Sequence, residues 1–210
     1  RGGGPGTRET DLLNPINMIQ KVHAVVLSGG SAFGLESTCG VSKYLEENNI
    51  GFDVGVAKVP IVVGAVLFDL GVGNLKSRPN IEMGYRACQV ASDTKLNQGN
   101  FGAGCGATVG KIKGIEYAMK GGIGSHSIKL PNGLVVSALV AVNAFGDVYE
   151  NGKVIAGVMD DEKKNVLNSY ELVKNGVNKG GFSIDNTTIG IVATNAKLDK
   201  AGCKKVSQMA

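Results

Sequence analysis

Apolar residues in this chain cluster in short runs separated by glycine-rich joints, a pattern that predicts buried strands. The strongest run is Gly133–Val148 (GLVVSALVAVNAFGDV). Another run, Ile189–Ala193, lies shortly after Asn186. Two more lie at Val22–Leu27 and Val59–Leu70. Runs of this length, bounded by glycine and polar residues, are typical of strands in the interior of a sheet.

Helical patterns occupy several of the stretches between these runs. They predict helices over Ala32–Asn48, near Pro79–Asp93 and from Asp199 to Ala210. The inner face of the first helix is expected to carry Leu35, Cys39, Ser42 and Leu45. Residues 149–180 are polar and predict an exposed insertion or linker. Strands and helices joined by short connections indicate an α/β fold, with two sheets sandwiched between helices in a single domain over 1–210.

Composition narrows the protein class. Glycine occurs 32 times in 210 residues, about twice its average share, and without a period it indicates tight turns rather than collagen. The net charge is +4, and the basic residues are scattered along the chain, so no nucleic-acid partner is expected. Four well-separated cysteines favour a reduced, cytoplasmic protein without a metal site. No run approaches the roughly 18 apolar residues of a membrane span. The chain starts without Met and stops in a helical pattern, so we expect a fragment of a longer precursor.

Two glycine-rich segments are candidate ligand-binding loops. Ser28–Ser31 joins a predicted strand to a predicted helix, where free backbone amides favour a ligand carboxylate or carbonyl; the alternative is a plain turn. SGGSAFG matches neither a dinucleotide fingerprint nor a phosphate loop. Asn97–Gly110 is the most glycine-dense segment and permits close approach of a backbone or ligand. The candidate substrate-lining residues are Ser28, Gly29, Gly30, Ser31, Gly102, Gly104 and Gly106.

Isolated reactive residues outside these loops have ordinary explanations. Asp69 is the only charge in its apolar run, so we expect it to cap a turn or pair with a cation, with catalysis as the alternative. Cys105 needs a base to act as a nucleophile, and the two histidines, His23 and His126, stand in no recognisable context. The opening segment, 1–15, is predicted to be a glycine-rich loop, either solvated or forming a charged pocket wall.

The bond between Asn186 and Thr187 joins the polar loop Asn178–Asp185 to an apolar strand. This is an ordinary loop-to-strand junction, but it is also the pattern of an N-terminal nucleophile before self-cleavage. If the bond breaks, Thr187 gains an α-amine with a pKa of about 7.7–8.0 beside its own hydroxyl. That amine can take the hydroxyl proton without a histidine. Thr187 is therefore the candidate nucleophile, and Asn186–Thr187 is the candidate autocleavage bond.

Asn143 is an amide in an apolar strand built mainly of Val, Ala and Leu. One interpretation is a hydrogen-bonded amide of the core. The other is a side-chain N–H donor directed at a developing oxyanion, a role suited to a rigid strand. The residues alone leave both interpretations open.

Six segments, in order along nearly the whole chain, resemble the DmpA-type aminopeptidases, also called the L-aminopeptidase/D-esterase and β-peptidyl aminopeptidase family. They are RGGGPGTRETDLL at 1–13, VHAVVLSGGSAFGLES at 22–37, VPIVVGAVLFDLGVGN at 59–74, GNFGAGCGATVGK at 99–111, GLVVSALVAVNAFGDV at 133–148 and NTTIGIVATNAKL at 186–198. Several long matching segments are far more specific than any single motif in this chain.

The resemblance implies a four-layer α-β-β-α sandwich, similar to ornithine acetyltransferase, and a precursor that cleaves itself before a Ser or Thr. Here it implies cleavage at Asn186–Thr187, with Thr187 as the nucleophile. It also implies that Asn143 stabilises the oxyanion and that Gly102–Gly106 faces the same cleft. The implied activity is release of N-terminal residues from small peptides, amides or esters, with no cofactor.

The resemblance carries further expectations and one departure. It implies that 1–186 belongs to one product of cleavage and that 187–210 opens the other, within a homotetramer or larger assembly. Some family members have a Tyr near 59–74, whereas this chain has Leu67 or Phe68 there. That residue's role is therefore not transferred.

Three alternatives remain at this stage. An acetyltransferase of the ornithine type uses the same threonine chemistry. A nucleotide-binding module would depend only on SGGSAFG and the second glycine-rich segment. An uncleaved family member would act as a non-catalytic assembly protein.

Overall fold

Two three-stranded sheets form the centre of the structure, a computed structural model that describes residues 4–94, 96–177 and 186–210. The predicted loop Asn178–Asp185 lies outside the described residues, as does Arg1. The strands are β1 (Gly6–Arg8), β2 (Ala24–Ser28), β3 (Phe52–Asp53), β4 (Lys58–Val59), β5 (Val62–Val66), β6 (Thr108–Val109), β7 (Met119–Lys120), β8 (Gly122–Lys129), β9 (Val135–Asn143), β10 (Val148–Glu150), β11 (Lys153–Ala156) and β12 (Thr187–Thr194).

The described residues also form four α-helices. They are α1 (Ser37–Glu47), α2 (Ile81–Gln89), α3 (Ser169–Lys174) and α4 (Lys200–Met209), with short 3-10 helices at Asp11–Leu13, Ser31–Glu36, Gly102–Gly104 and Ile115–Tyr117. The predicted helix Ala32–Asn48 is thus divided into a 3-10 segment and α1. The predicted C-terminal helix is confirmed as α4, which begins after Asp199; this residue's carboxylate accepts a hydrogen bond from the Gly202 amide at 2.7 Å. Among the described residues, no helix is long and apolar enough to cross a membrane.

The first sheet has the order β1-β5-β2. β2 and β5 are parallel, and the connection between them contains α1. β1 runs antiparallel to β5, with Gly6 opposite Val66, so the prediction of a loop throughout 1–15 is wrong at this point. The sequence is too short and polar there to show a strand, and pairing with β5 supplies the hydrogen bonds that form it.

The second sheet has the order β12-β9-β8 and is antiparallel throughout. Its central strand, β9, comes from the strongest predicted run, Gly133–Val148, which the structure ends at Asn143. The predicted strand after Asn186 is confirmed as β12, which begins at Thr187 and lies at the sheet edge. Both strands that carry the candidate catalytic residues therefore belong to one sheet.

The helices α1 and α2 cross with their backbones in contact. A Cβ on Gly40 would overlap the Ile81 carbonyl oxygen, and a Cβ on Gly84 would overlap the Ser37 carbonyl oxygen. Val41, Leu45 and Val62 form a buried cluster between α1 and the first sheet. Of the residues expected to face inward, Leu45 is buried, whereas Cys39 is exposed and that prediction is wrong. The close helix crossing turns the α1 face that contains Gly40 and Val41 inward instead.

A second buried cluster joins the two sheets. Its buried members are Leu67, Ala103, Ala107 and Ala141, with Leu27, Ile123 and Ile189 packed against them. These residues come from both sheets and from the glycine-rich segment between them. The small side chains allow the backbones to approach closely, so the chain folds as a mixed α/β protein with its sheets in contact.

Most described residues of 149–180 are exposed, as predicted, but the interpretation of this stretch as an insertion or linker is wrong, because it forms regular structure. β10 and β11 form an antiparallel hairpin, α3 follows, and Val158 has no exposed surface. The hairpin turns at Asn151 and Gly152, which both have positive φ values of 49° and 77°. Asn-Gly in this conformation is the preferred two-residue hairpin turn, a signal that the polar composition concealed.

Candidate active site

Thr187 and Asn143 are register partners at the end of the β9–β12 pair. Directly opposed residues of an antiparallel pair project from the same face of the sheet. Two residues further along, Ile189 is opposite Ala141, and both belong to the buried cluster between the sheets. Because side chains alternate along a strand, Thr187 and Asn143 lie on that same inner face, at its rim. Asn186, on the other side of the candidate scissile bond, is exposed.

The Asn143 side chain is completely buried and held at both ends of its amide. Its Oδ1 accepts hydrogen bonds from the Thr108 amide at 3.0 Å and from Lys111 Nζ at 2.9 Å. Its Nδ2 donates to the Phe68 carbonyl oxygen at 2.7 Å. The amide orientation is therefore fixed by three partners from two separate segments of the chain.

Lys111 is a site residue that sequence reasoning missed. It is only 4% exposed, in a segment where Ala107, Val109 and Ile112 are also buried. Its Nζ donates to the backbone oxygen of Asn143 at 3.3 Å as well as to Oδ1. Lysine is almost never this buried unless paired, so its position indicates a specific role beside Asn143. The available signal was a single lysine ending an otherwise apolar, glycine-rich segment.

The glycine turn after β2 is organised by Asp69. The Gly30 amide donates to Asp69 Oδ1 at 2.6 Å, and Gly30 has a φ of 83°. A Cβ on Gly29 or on Gly106 would overlap the same carboxylate. Both glycine-rich segments thus contact one acid, and Asp69 caps the turn, as the first of its two sequence interpretations predicts.

A cavity of about 770 Å³ opens beside this turn. Five of the candidate substrate-lining residues form part of its wall, namely Ser28, Gly29, Gly30, Gly102 and Gly106. Ser31 lies outside the wall, with its amide bonded to the Leu67 carbonyl at 2.9 Å. Gly104 also lies outside it, packed where a Cβ would approach Ile123 N to 2.5 Å. Substrate binding by these residues stays a prediction.

One peptide unit connects the cavity with the Thr187–Asn143 pair. Asn143 Nδ2 contacts the carbonyl of Phe68, and the next residue, Asp69, lines the cavity. Thr187 and Asn143 themselves are not part of the cavity wall. The candidate nucleophile therefore lies next to the cavity rather than inside it.

The cysteines give no competing site. Cys105 Sγ donates to the Asn100 carbonyl at 3.1 Å, and His23 Nδ1 accepts from the Ile61 amide at 3.1 Å. In these contacts the cysteine and the histidine bond to other partners rather than to each other. Cys88 lines the cavity, but burial raises the pKa of its thiol and disfavours the thiolate. Among the described residues, no group of three or more His, Cys, Asp or Glu side chains is placed to hold a metal ion.

Comparison with known proteins agrees with the sequence resemblance. The model of peptidase family S58 matches residues 1–210, the whole chain. The chain belongs to peptidase family S58. The resemblance to the DmpA-type aminopeptidases is thereby confirmed at the level of the family.

Relatives of this S58 chain have been named in several bacteria. An uncharacterized aminopeptidase of Mycobacterium leprae is 44% identical over 220 residues, covering 100% of this chain and 59% of the relative. A 6-aminohexanoate-oligomer endohydrolase of Kocuria is 27% identical over 185 residues, covering 84% of this chain and 50% of the relative. The chain thus spans between half and three fifths of the curated relatives it matches.

A solved structure supports the fold. The PH0078 protein from Pyrococcus horikoshii superposes with a TM-score of 0.63, covering 98% of this S58 chain and 51% of that protein. At 19% identity, this likeness concerns the fold alone.

Proposed function

We propose that this chain is part of a self-cleaving S58 aminopeptidase that uses Thr187 as an N-terminal nucleophile. The observation that carries the proposal is the register of Thr187 opposite Asn143 on the inner face of the second sheet. Membership of a peptidase family supports an acyl-transfer reaction on peptides, amides or esters. The portion 1–186 would end one cleavage product, and 187–210 would begin the other.

The first step is maturation of the chain. Thr187 Oγ attacks the Asn186 carbonyl carbon, the Asn186–Thr187 amide bond breaks, and the nitrogen takes the hydroxyl proton. The resulting ester is hydrolysed by water, whose oxygen stays on the Asn186 carboxyl group while a proton returns to Oγ. The α-amine of Thr187 is then free beside its own hydroxyl.

The second step is turnover of a substrate. The Thr187 amine accepts the hydroxyl proton as Oγ bonds to the substrate carbonyl carbon. The leaving amine takes a proton as its bond to that carbon breaks, and water hydrolyses the acyl-enzyme ester. Asn143 Nδ2 carries two N–H groups, of which one donates to the Phe68 carbonyl oxygen, and we assign the other to the developing oxyanion. One donor of this kind typically contributes about 2.7–4 kcal/mol to the transition state.

Lys111 has a positioning role in this proposal. Its Nζ holds Asn143 Oδ1 at 2.9 Å, and the Thr108 amide holds the same atom at 3.0 Å. These two bonds direct the other end of the amide away from Lys111. Preorganisation of this kind removes reorganisation from the moment of reaction.

We further infer that the two sheets are the inner layers of a four-layer α-β-β-α sandwich. Support comes from the cluster joining the sheets and from the packing of α1 on the first sheet. On the second sheet, residues of α4 and of β12, including Thr188 and Val192, line one groove. Thr188 and Val192 alternate with Thr187 and Ile189 along β12, which supports a position of α4 on the outer face. We also propose a homotetramer or larger assembly, which light scattering on the full-length protein would test.

The deciding experiment is intact mass under denaturing conditions on the full-length protein. We expect two fragments, one with Thr187 at its new N-terminus. Thr187→Ala should give one unbroken chain with no peptidase activity. Thr187→Ser should still cleave itself, but more slowly, and the matched control Thr188→Ala should cleave itself at the normal rate. Cleavage in Thr187→Ala would rule out the assigned nucleophile. An acetyl-donor assay on the processed protein separates a peptidase from an ornithine-type acetyltransferase.

A further inference from the structure

Arg78 has an unusual position in the wall of the 770 Å³ cavity. Its guanidinium carbon lies 4.0 Å from the centre of the Phe33 ring, so the cation rests on the aromatic face. Phe33 is 55% exposed and contributes little to the core, which leaves this contact as its clearest role. An aromatic ring under a guanidinium excludes water from one face of the cation. The N–H donors at the edge of the guanidinium plane stay free to bind planar acids.

The segment that carries Arg78 is held in place by the two residues that follow it. The following residue, Pro79, lies against the glycine turn, where a Cβ on Gly30 would approach Pro79 Cδ to 2.9 Å. Asn80 then caps α2, its Oδ1 accepting from the Met83 amide at 3.0 Å. The arginine therefore projects from a fixed backbone rather than from a loose loop.

Within the described part of the chain, the Arg78 guanidinium makes no ion pair and no side-chain hydrogen bond. By contrast, Arg8 uses its Nη1 to donate to Thr38 Oγ1 at 2.7 Å. Asp69 lines the same cavity but does not form a salt bridge with Arg78. A half-buried guanidinium that lines a cavity without an acidic protein partner is suited to an acidic group of a ligand.

We propose that Arg78, stacked on Phe33, binds a carboxylate of the substrate in this cavity. This assignment rests on the proposed function for its identity as a substrate site, and it specifies the class: short peptides whose carboxylate reaches the cavity. The carboxylate is either the C-terminus of a short peptide or an acidic side chain. The Asp69 carboxylate in the same wall repels polyanions, which disfavours nucleotide phosphates.

The first arm of the test measures binding without acyl chemistry. Ligand-detected NMR titrations compare 5-aminopentanoate with 5-amino-1-pentanol, which lack any scissile bond and differ in the carboxylate. The full-length wild type should bind the acid at least about 10-fold more tightly, as expected for a charge-assisted hydrogen-bonded pair. Arg78→Ala should bring the two affinities together, and Arg78→Lys should keep part of the difference. Arg86→Ala, which removes an exposed charge from α2, is the matched control and should change nothing.

The second arm identifies the source of the carboxylate. Alanyl-alanine is compared with its C-terminal amide, and glutamyl p-nitroanilide is compared with glutaminyl p-nitroanilide. In Arg78→Ala we expect kcat/KM to fall about 10- to 100-fold, through KM, only for the acidic member of one pair. The affected pair shows whether the peptide terminus or the side chain is bound.

The outcomes separate this site from the proposed function. Equal binding of the acid and the alcohol by the wild type, or an unchanged ratio in Arg78→Ala, overturns the site. Loss of the ratio in Arg86→Ala as well would show a general charge effect and also overturns it. If the binding ratio depends on Arg78 but no substrate is hydrolysed, the carboxylate site stands and the proposed peptidase function fails.

Discussion

Thr187 stands directly opposite Asn143, where β12 begins and β9 ends. Opposed Cα atoms in an antiparallel pair are about 4.5–5.5 Å apart, so a strand pairing brings together two residues from distant parts of the sequence. The pairing also fixes which face both side chains occupy. A slip of one residue would move Thr187 to the opposite face of the sheet, so the register itself determines whether the proposed chemistry is available.

Asn143→Asp tests the assignment of the Asn143 side chain to the oxyanion. The aspartate keeps oxygen acceptors for Lys111 and the Thr108 amide but loses both N–H groups of Nδ2, the one that donates to Phe68 and the one assigned to the oxyanion. We expect kcat to fall by about 10²–10³-fold, as for removal of one oxyanion donor, with slower self-cleavage. Steady-state kinetics and intact mass measure the two effects. Ser137→Ala, on the same strand, should leave both rates unchanged; wild-type kcat in Asn143→Asp would contradict the assignment.

Lys111→Met should lower kcat with little change in KM. The methionine fills a similar volume but no longer holds Asn143 Oδ1, so the amide loses one of its orienting bonds. A small displacement of a catalytic group can cost up to about 10²-fold, and we expect a loss of about 10- to 100-fold. Lys113→Met is the control, because Lys113 instead pairs with the exposed Asp161 at 2.7 Å. A rise in KM alone would instead place Lys111 in substrate binding.

The sequence patterns located the strands of this site but not its surroundings. β9 and β12 were predictable because long apolar runs of this kind form buried strands. The positions of Asn143 and Thr187 within these strands followed from the sequence. Lys111 was not, because its burial depends on Asn143 oxygens that reach it only through the fold. β1 was also missed, since its three residues form a strand only by pairing with β5.

Substitutions at Asp69 test how the glycine turn after β2 is stabilised. Asp69→Ala removes the acceptor for the Gly30 amide and should lower the free energy of unfolding by about 1 kcal/mol. Asp69→Asn keeps an oxygen acceptor of the same shape and should cost less. Urea unfolding midpoints of the two variants measure the difference. Equal losses in both variants would show that the charge, rather than the hydrogen bond, stabilises the turn.

Cys88 should react more slowly with iodoacetamide than the exposed Cys203 at pH 8, and the difference should shrink as the pH rises. Burial raises the pKa of the Cys88 thiol, so its reactive thiolate becomes populated only at higher pH. A folded-state pKa raised above the reference of 9.0 gives stability that is present below that pH and is lost as the pH rises through the folded-state value. Peptide mass spectrometry over a pH series measures both alkylation rates.

Because Cys88 lines the cavity with Arg78, 5-aminopentanoate should slow alkylation of Cys88 and leave Cys203 unaffected. Equal rates for the two thiols at pH 8 would contradict the burial of Cys88.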